Sequence, residues 1–159
     1  MEEEGIQELP NLGDPGEKLI LLVDDDASLL DLIEHVVKKE GFRTERAVDG
    51  SEALRKADAL QPDLIILDLM LPGLGGYEVA RELQAGGNGS IPLIVVTGRQ
   101  MDRKQVEMIR MESNVKEFMP KPLRPAVLST TIHAMLKTRP PDITRAPGTD
   151  RGPMSGGIR

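Results

Sequence analysis

The chain has 159 residues, a formal net charge of −6 at pH 7 and no cysteine. The length allows one domain with a full core, and the lack of cysteine excludes disulfides, thiol catalysis and cysteine-based metal sites. The acidic balance and the small number of aromatic residues argue against direct nucleic-acid binding. Apolar runs are only strand-sized and the acidic N-terminus lacks an apolar signal core, so we expect a cytoplasmic protein without a membrane segment.

The two ends of the chain differ in composition from the middle. Residues 1–16 are acidic and contain no basic residue, whereas residues 139–159 are rich in proline, glycine and arginine. Neither end has a sustained apolar period, which predicts flexible tails. The ordered domain is therefore predicted to span residues 17–138.

In the middle, strand-like apolar runs alternate with stretches of helical periodicity. In chain order the pattern predicts a strand at 18–23, a helix ended by Gly41, a strand at 42–48, a helix capped by Ser51 and ending near 60, a strand at 64–68, a helix at 77–83, a strand at 92–97, a helix at 102–111, a short strand at 118–120 and a helix around 128–136. This alternation predicts an α/β fold, a doubly wound, five-stranded parallel sheet with five helices.

Polar residues follow four of the five predicted strands: Asp24 and Asp25 after the first, Asp68 after the third, Thr97 after the fourth and Lys121 after the fifth. A single aspartate in such a place is more simply a turn or cap residue. In the flavodoxin-like strand order 2-1-3-4-5, however, all these strand ends share one edge, and the first and third strands are neighbours about 5 Å apart. The long side chain of Lys121 can then lean back towards Asp68.

Three carboxylates this close repel one another unless some are protonated or a cation joins them. Oxygen ligands without histidine or cysteine are typical of magnesium or calcium. A cation, the Lys121 ammonium and the Thr97 hydroxyl around one carboxylate would form a site for a phosphoryl group. Asp68 would then be the nucleophile and would form an aspartyl-phosphate.

Four motifs in this order resemble the receiver domain of bacterial two-component response regulators, in its stand-alone, CheY-like form. They are Ile20-Leu21-Leu22-Val23-Asp24-Asp25-Asp26, Ile66-Leu67-Asp68-Leu69-Met70-Leu71-Pro72-Gly73, Val95-Val96-Thr97-Gly98 and Lys121-Pro122. The resemblance covers about residues 18–137. It implies that Asp68 is the phosphoacceptor, that Asp24, Asp25 and Asp68 hold Mg²⁺, and that the backbone carbonyl of Met70 completes the metal site.

The resemblance also implies a conformational switch. Thr97 matches the switch hydroxyl, Lys121 the active-site lysine, and Phe118 the aromatic residue that turns inward when the threonine moves to the phosphoryl group. Pro122 matches a position with a cis peptide bond. One departure is Asn114, which stands where the family has glycine; we expect it to adopt the left-handed turn that asparagine tolerates.

By the same resemblance, a histidine kinase or phosphotransfer protein gives its phosphoryl group to Asp68, and a protein effector then contacts the fourth helix, fifth strand and fifth helix. The protein would be a signalling domain that phosphorylates and slowly dephosphorylates itself, not an enzyme in the usual sense. We expect no direct nucleic-acid or membrane partner.

The alternatives are a receiver that acts as an unphosphorylated scaffold, or a receiver fragment of a DNA-binding transcription factor. The second alternative requires a fragment because residues 139–159 cannot form an effector domain. An aspartyl phosphatase is disfavoured because its nucleophile would follow the first strand.

Overall fold

A computed structural model of the protein describes residues 11–98 and 102–141, so most of both predicted tails lies outside the described residues. Five strands form one parallel sheet in the order β2-β1-β3-β4-β5. They are β1 (Leu19–Val23), β2 (Arg43–Ala47), β3 (Leu64–Asp68), β4 (Leu93–Thr97) and β5 (Val115–Pro120). The predicted fold class and strand order are confirmed.

Helices cover both faces of this sheet. They are α1 (Ala27–Lys39), α2 (Gly50–Leu60), α3 (Gly76–Ala85), α4 (Arg103–Arg110) and α5 (Pro125–Leu136), and a short 3-10 helix, Pro15–Glu17, precedes β1. Within the described ranges, none of the helices has the length and apolar character needed to cross a bilayer.

The three central strands are buried on both faces, so successive residues alternate between two apolar clusters. Leu67 and Val95 belong to the cluster that also holds Val79 of α3 and Ile109 of α4. The other cluster joins the opposite sheet face to α1 and α5; its members include Ile20, Leu30, Ile66, Ile94, Leu128 and Ile132. Both layers fix the strand ends that carry the predicted site.

The start of α2 corrects one prediction. Asp49, not Ser51, is the N-terminal cap, and its carboxylate accepts a hydrogen bond of 2.8 Å from the Glu52 backbone N–H. The helix begins two residues earlier than predicted, at Gly50, where a Cβ would lie only 2.6 Å from the Leu74 carbonyl oxygen. The close approach of the loop before α3 therefore requires glycine at this position, and the residue before it, Asp49, caps the helix.

Asn114 also differs from its prediction. Among the described residues, the non-glycine residues with positive φ are Gln61 and Lys137, so Asn114 is not in a left-handed turn. Its side chain is buried instead: the amide donates to the Ala80 carbonyl at 3.1 Å and its oxygen accepts from the Gln84 amide at 3.0 Å. Asparagine serves here as a hydrogen-bonding link between α3 and the connection before β5.

The ends of the described chain meet beside α5. Gly13 forms a bridge with Thr138, and the Arg139 backbone N–H donates to the Gly13 carbonyl at 2.9 Å. The Arg139 guanidinium donates to the Leu12 carbonyl at 2.9 Å. These contacts lie just outside the predicted boundaries at residues 17 and 138.

Candidate functional site

Three aspartates meet at the carboxyl edge of the sheet. Because β1 and β3 are neighbours with Val23 opposite Leu67, Asp24 and Asp68 emerge side by side. One carboxylate oxygen from each of these residues and from Asp25 lies within 4.8 Å of the other two. Asp24 and Asp68 are buried, whereas Asp25 is exposed, so the cluster opens to solvent on one side.

Backbone N–H groups orient the two buried carboxylates. The Asp26 N–H donates to Oδ1 of Asp24 at 2.9 Å, and the Met70 N–H donates to Oδ1 of Asp68 at 3.1 Å. The Asp26 carboxylate itself caps α1 by accepting from the Ser28 N–H at 3.0 Å. Asp26 is thus committed to the helix, while the Oδ2 atoms of Asp24 and Asp68 face across the site.

Lys121 supplies the positive charge at this edge. Its Nζ lies 3.4 Å from Oδ2 of Asp68 and 3.8 Å from Oδ2 of Asp24. The Lys121 backbone N–H donates to the Thr97 carbonyl at 2.8 Å, and the bond to Pro122 is cis. The lysine thus reaches back across one strand from the end of β5, as its length allows.

The electrostatics of the cluster are unbalanced. The pKa of Asp24 is raised to about 6, mainly because the carboxyl group is buried; the neighbouring carboxylates of Asp68 and Asp25 contribute to this rise, whereas the Asp26 N–H and Lys121 oppose it. Among the described residues, one lysine faces three carboxylates, so the site favours an added proton or cation. Hard oxygen donors in a partly open cluster suit magnesium, and Asp24, Asp25 and Asp68 are the residues that would hold it.

Thr97 and Phe118 lie on the same face of the sheet. Val95 pairs with Phe118 and Thr97 with Pro120 in the β4–β5 register, and alternate residues of a strand share a face. Thr97 is partly exposed at the end of β4, and Phe118 is partly buried against the cluster that contains Val95 and Ile109. The exposed Pro120 lies on the edge strand, where a missing N–H is tolerated.

Sequence reasoning missed one residue of this region. The guanidinium carbon of Arg110, at the end of α4, lies 4.5 Å from the centroid of the Phe118 ring. An arginine on a predicted surface helix carries no signal for such a contact, because the contact depends on how α4 lies over β5.

An open cleft of about 670 Å³ adjoins the acidic cluster on the side of Asp25. The side chains of Met70 and Met108, both about half exposed, line it together with Tyr77 and Glu78. The carboxylate edge therefore borders a partly apolar surface.

Comparison with known proteins identifies the family of this arrangement. The profile of the response regulator receiver domain matches residues 20–133. The DNA-binding response regulator MtrA of Mycobacterium tuberculosis is 39% identical over 118 residues, which cover 74% of this chain and 50% of MtrA. The alkaline phosphatase synthesis transcriptional regulatory protein PhoP of Bacillus subtilis is 34% identical over 120 residues, covering 76% of this chain and 49% of PhoP. The chain spans about half the length of these relatives.

Solved structures give the same result. The receiver domain of the sensor histidine kinase PA1611 from Pseudomonas aeruginosa, solved with a magnesium ion coordinated in its active-site cleft, superposes with a TM-score of 0.67 at 28% identity and covers 75% of this chain and 97% of that one. The Vibrio cholerae chemotaxis protein CheY4 superposes with a TM-score of 0.68 at 25% identity and covers 75% of this chain and 98% of that one.

Proposed function

The chain belongs to the response regulator receiver family, and we propose that it is a magnesium-dependent phosphoacceptor whose phosphorylation on Asp68 is read by protein partners. The observation that carries this proposal is the pairing of a buried Asp68 carboxylate with Lys121 at 3.4 Å, beside two further aspartates on the neighbouring strand end. A buried carboxylate that already has a backbone N–H on Oδ1 presents its Oδ2 as the reactive atom.

In the proposed reaction, an Asp68 carboxylate oxygen attacks the phosphorus of a phosphohistidine on a kinase or phosphotransfer protein. The phosphorus–nitrogen bond breaks, and its electron pair returns to the imidazole of the donor. Lys121 neutralises phosphoryl oxygens beside Asp68, and the Thr97 hydroxyl donates a hydrogen bond to one of them.

Magnesium bound by Asp24, Asp25, Asp68 and the Met70 carbonyl would supply charge neutralisation for the phosphoryl oxygens. The residues themselves support this assignment, because three carboxylates within 4.8 Å exceed the charge that Lys121 can balance.

The output of this reaction is a change of conformation, not the turnover of a substrate. Thr97 and Phe118 share a sheet face beneath α4, so a threonine drawn towards the phosphoryl group frees space next to the aromatic ring. We propose that a cytoplasmic protein effector reads the resulting surface of α4, β5 and α5 by population shift.

A phosphorylation assay tests the proposal. We expect the wild-type protein, incubated with Mg²⁺ and acetyl phosphate, to gain one acid-labile phosphoryl group, and Asp68→Asn to gain none. Asp63→Asn is the matched control, because Asp63 precedes the same strand at its other end, where its carboxylate accepts from the Leu19 N–H at 2.8 Å. The control should be phosphorylated like the wild type, and EDTA should abolish the reaction in both.

An unmodified wild-type protein in this assay would instead favour a receiver that acts as a scaffold. Phosphate on a residue other than Asp68 would contradict the assigned roles of all three aspartates.

A second candidate function is that the domain regulates DNA binding as part of a longer transcription factor. The names of MtrA and PhoP and their double length favour it. Full-length protein from the source organism should then bind duplex DNA more tightly after phosphorylation, whereas the 159-residue chain, with its net charge of −6, should not bind at physiological salt.

A further inference from the structure

Arg110 lies over the ring of Phe118. The guanidinium carbon is 4.5 Å from the ring centroid, well inside the distance of about 6 Å at which cation–π attraction acts. Arg110 is the last residue of α4, and Phe118 lies in the edge strand β5. The preceding residue, Ile109, is fully buried, so the end of the helix is anchored to the core directly beside this contact.

The contact involves the part of the sheet that faces the phosphorylation site. Phe118 and Thr97 lie on the same face of neighbouring strands, two register positions apart. Phe118 is only partly buried, and a rotation that carries its ring away from α4 would separate the ring from the Arg110 guanidinium.

We propose that Arg110 is a positioning residue that holds Phe118 in the arrangement seen here and so sets how readily phosphorylation of Asp68 moves the ring. This inference rests on the proposed function. A cation–π contact at an exposed site changes an equilibrium constant about two- to fivefold. Arg110 therefore raises, by up to that factor, the concentration of a phosphoryl mimic needed to shift the population.

The composition of the chain offers a direct measurement. It contains two phenylalanines and no more, Phe42 and Phe118, so labelling with 4-fluorophenylalanine gives two fluorine NMR signals, which Phe42→Leu assigns. Beryllofluoride with Mg²⁺ serves as a stable phosphoryl mimic. The quantity measured is the beryllofluoride concentration at which the Phe118 signal has moved halfway.

We expect Arg110→Gln and Arg110→Met to lower this concentration about two- to fivefold, because both remove the charge over the ring. Arg110→Lys keeps a cation and should stay near the wild-type value. Arg81→Gln is the matched control, since it removes a second arginine–aromatic contact, 5.9 Å from the Tyr77 ring on α3, and should not change the midpoint.

Equal midpoints in the wild type, Arg110→Gln and Arg110→Met would overturn the inference, as would Arg110→Lys behaving like the neutral variants. In both cases the proposed function stands if Asp68 of the wild type is phosphorylated. If the wild type neither accepts phosphate nor shifts its Phe118 signal, the proposed function fails and the inference fails with it.

Discussion

The two edges of the sheet surround their carboxylates with different partners. At the carboxyl edge, Asp24 and Asp68 share one lysine, and burial raises the pKa of Asp24 to about 6. At the opposite edge, where α1 and α5 end, Glu40 lies 2.8 Å from Nε2 of His133. Nδ1 of the same ring lies 2.7 Å from the Thr138 hydroxyl.

The histidine cluster stabilises the fold, whereas the aspartate cluster prepares the protein to bind a ligand. The cluster of Glu40, His133 and Thr138 pairs each polar group with another, and the histidine ring also packs on Phe42 with ring centroids 5.0 Å apart. The aspartate cluster concentrates like charge in a partly buried place, which costs stability until a cation binds. Conflict of this kind at one edge of an otherwise consistent fold is typical of a functional site.

Breaking the balanced cluster should have the largest effect on stability. His133→Gln removes the ring that links Glu40 to Thr138 and leaves a gap beside Phe42, so we expect the free energy of unfolding to fall by about 2–4 kcal/mol. Urea denaturation measures it. Phosphorylation of Asp68 should persist at temperatures where the variant is folded, because the cluster lies at the far edge of the sheet.

The other histidine provides the control. His35 is exposed on α1, so His35→Gln should change the unfolding free energy by less than about 0.5 kcal/mol. Equal effects of the two substitutions would show that the His133 cluster contributes nothing special to the fold.

Removing a charge from the aspartate cluster should raise the free energy of unfolding, whereas His133→Gln lowers it. Asp24→Asn removes a buried negative charge and keeps an oxygen that can accept from the Asp26 N–H, so the metal-free protein should gain about 1–2 kcal/mol of stability. The same change removes a proposed ligand and should weaken Mg²⁺ binding more than tenfold. Urea denaturation in EDTA and a calorimetric Mg²⁺ titration measure the two effects.

Asp26→Asn is the matched control for this substitution. Asp26 is exposed and caps α1, and asparagine caps helices about as well as aspartate, so both measurements should stay near the wild-type values. A loss of stability in Asp24→Asn would mean that the carboxylates are not in conflict.

Sequence patterns predicted the sheet and its functional edge because both depend on local signals. The buried central strands are apolar runs in the sequence, and Asp24 and Asp68 stand at the ends of two of them. The strand order brings Lys121, at the end of the edge strand β5, to the same edge of the sheet. The strand order is confirmed, whereas the chemical roles of these residues remain predictions.

The details that sequence missed depend on tertiary contacts. Asn114 was interpreted through its backbone preference, but its buried amide bonds to Ala80 and Gln84, which are 34 and 30 residues away. Likewise, Ser51 and Asp49 are both good caps, and the close packing of the loop at Leu74 against Gly50 decides where α2 begins. The contact of Arg110 with Phe118 has no local signature at all.

The smallest predicted effect tests whether a well-paired carboxylate behaves oppositely to Asp24 as pH changes. Glu34 on α1 accepts a hydrogen bond of 2.6 Å from the Thr44 hydroxyl, which lowers its pKa, and Arg46 lowers it further. Because the pKa is lower in the folded protein, this pairing stabilises the fold above the ordinary carboxyl pKa near 4.5 and is lost as pH falls through the folded value. Thr44→Val should therefore lower the free energy of unfolding by about 1 kcal/mol at pH 7 and by clearly less at pH 3, measured by urea denaturation.

Thr131→Val is the control, because it removes a hydroxyl that donates to the Val127 carbonyl and should lower the free energy of unfolding equally at both pH values. A pH-independent loss of stability in Thr44→Val would refute the pairing argument.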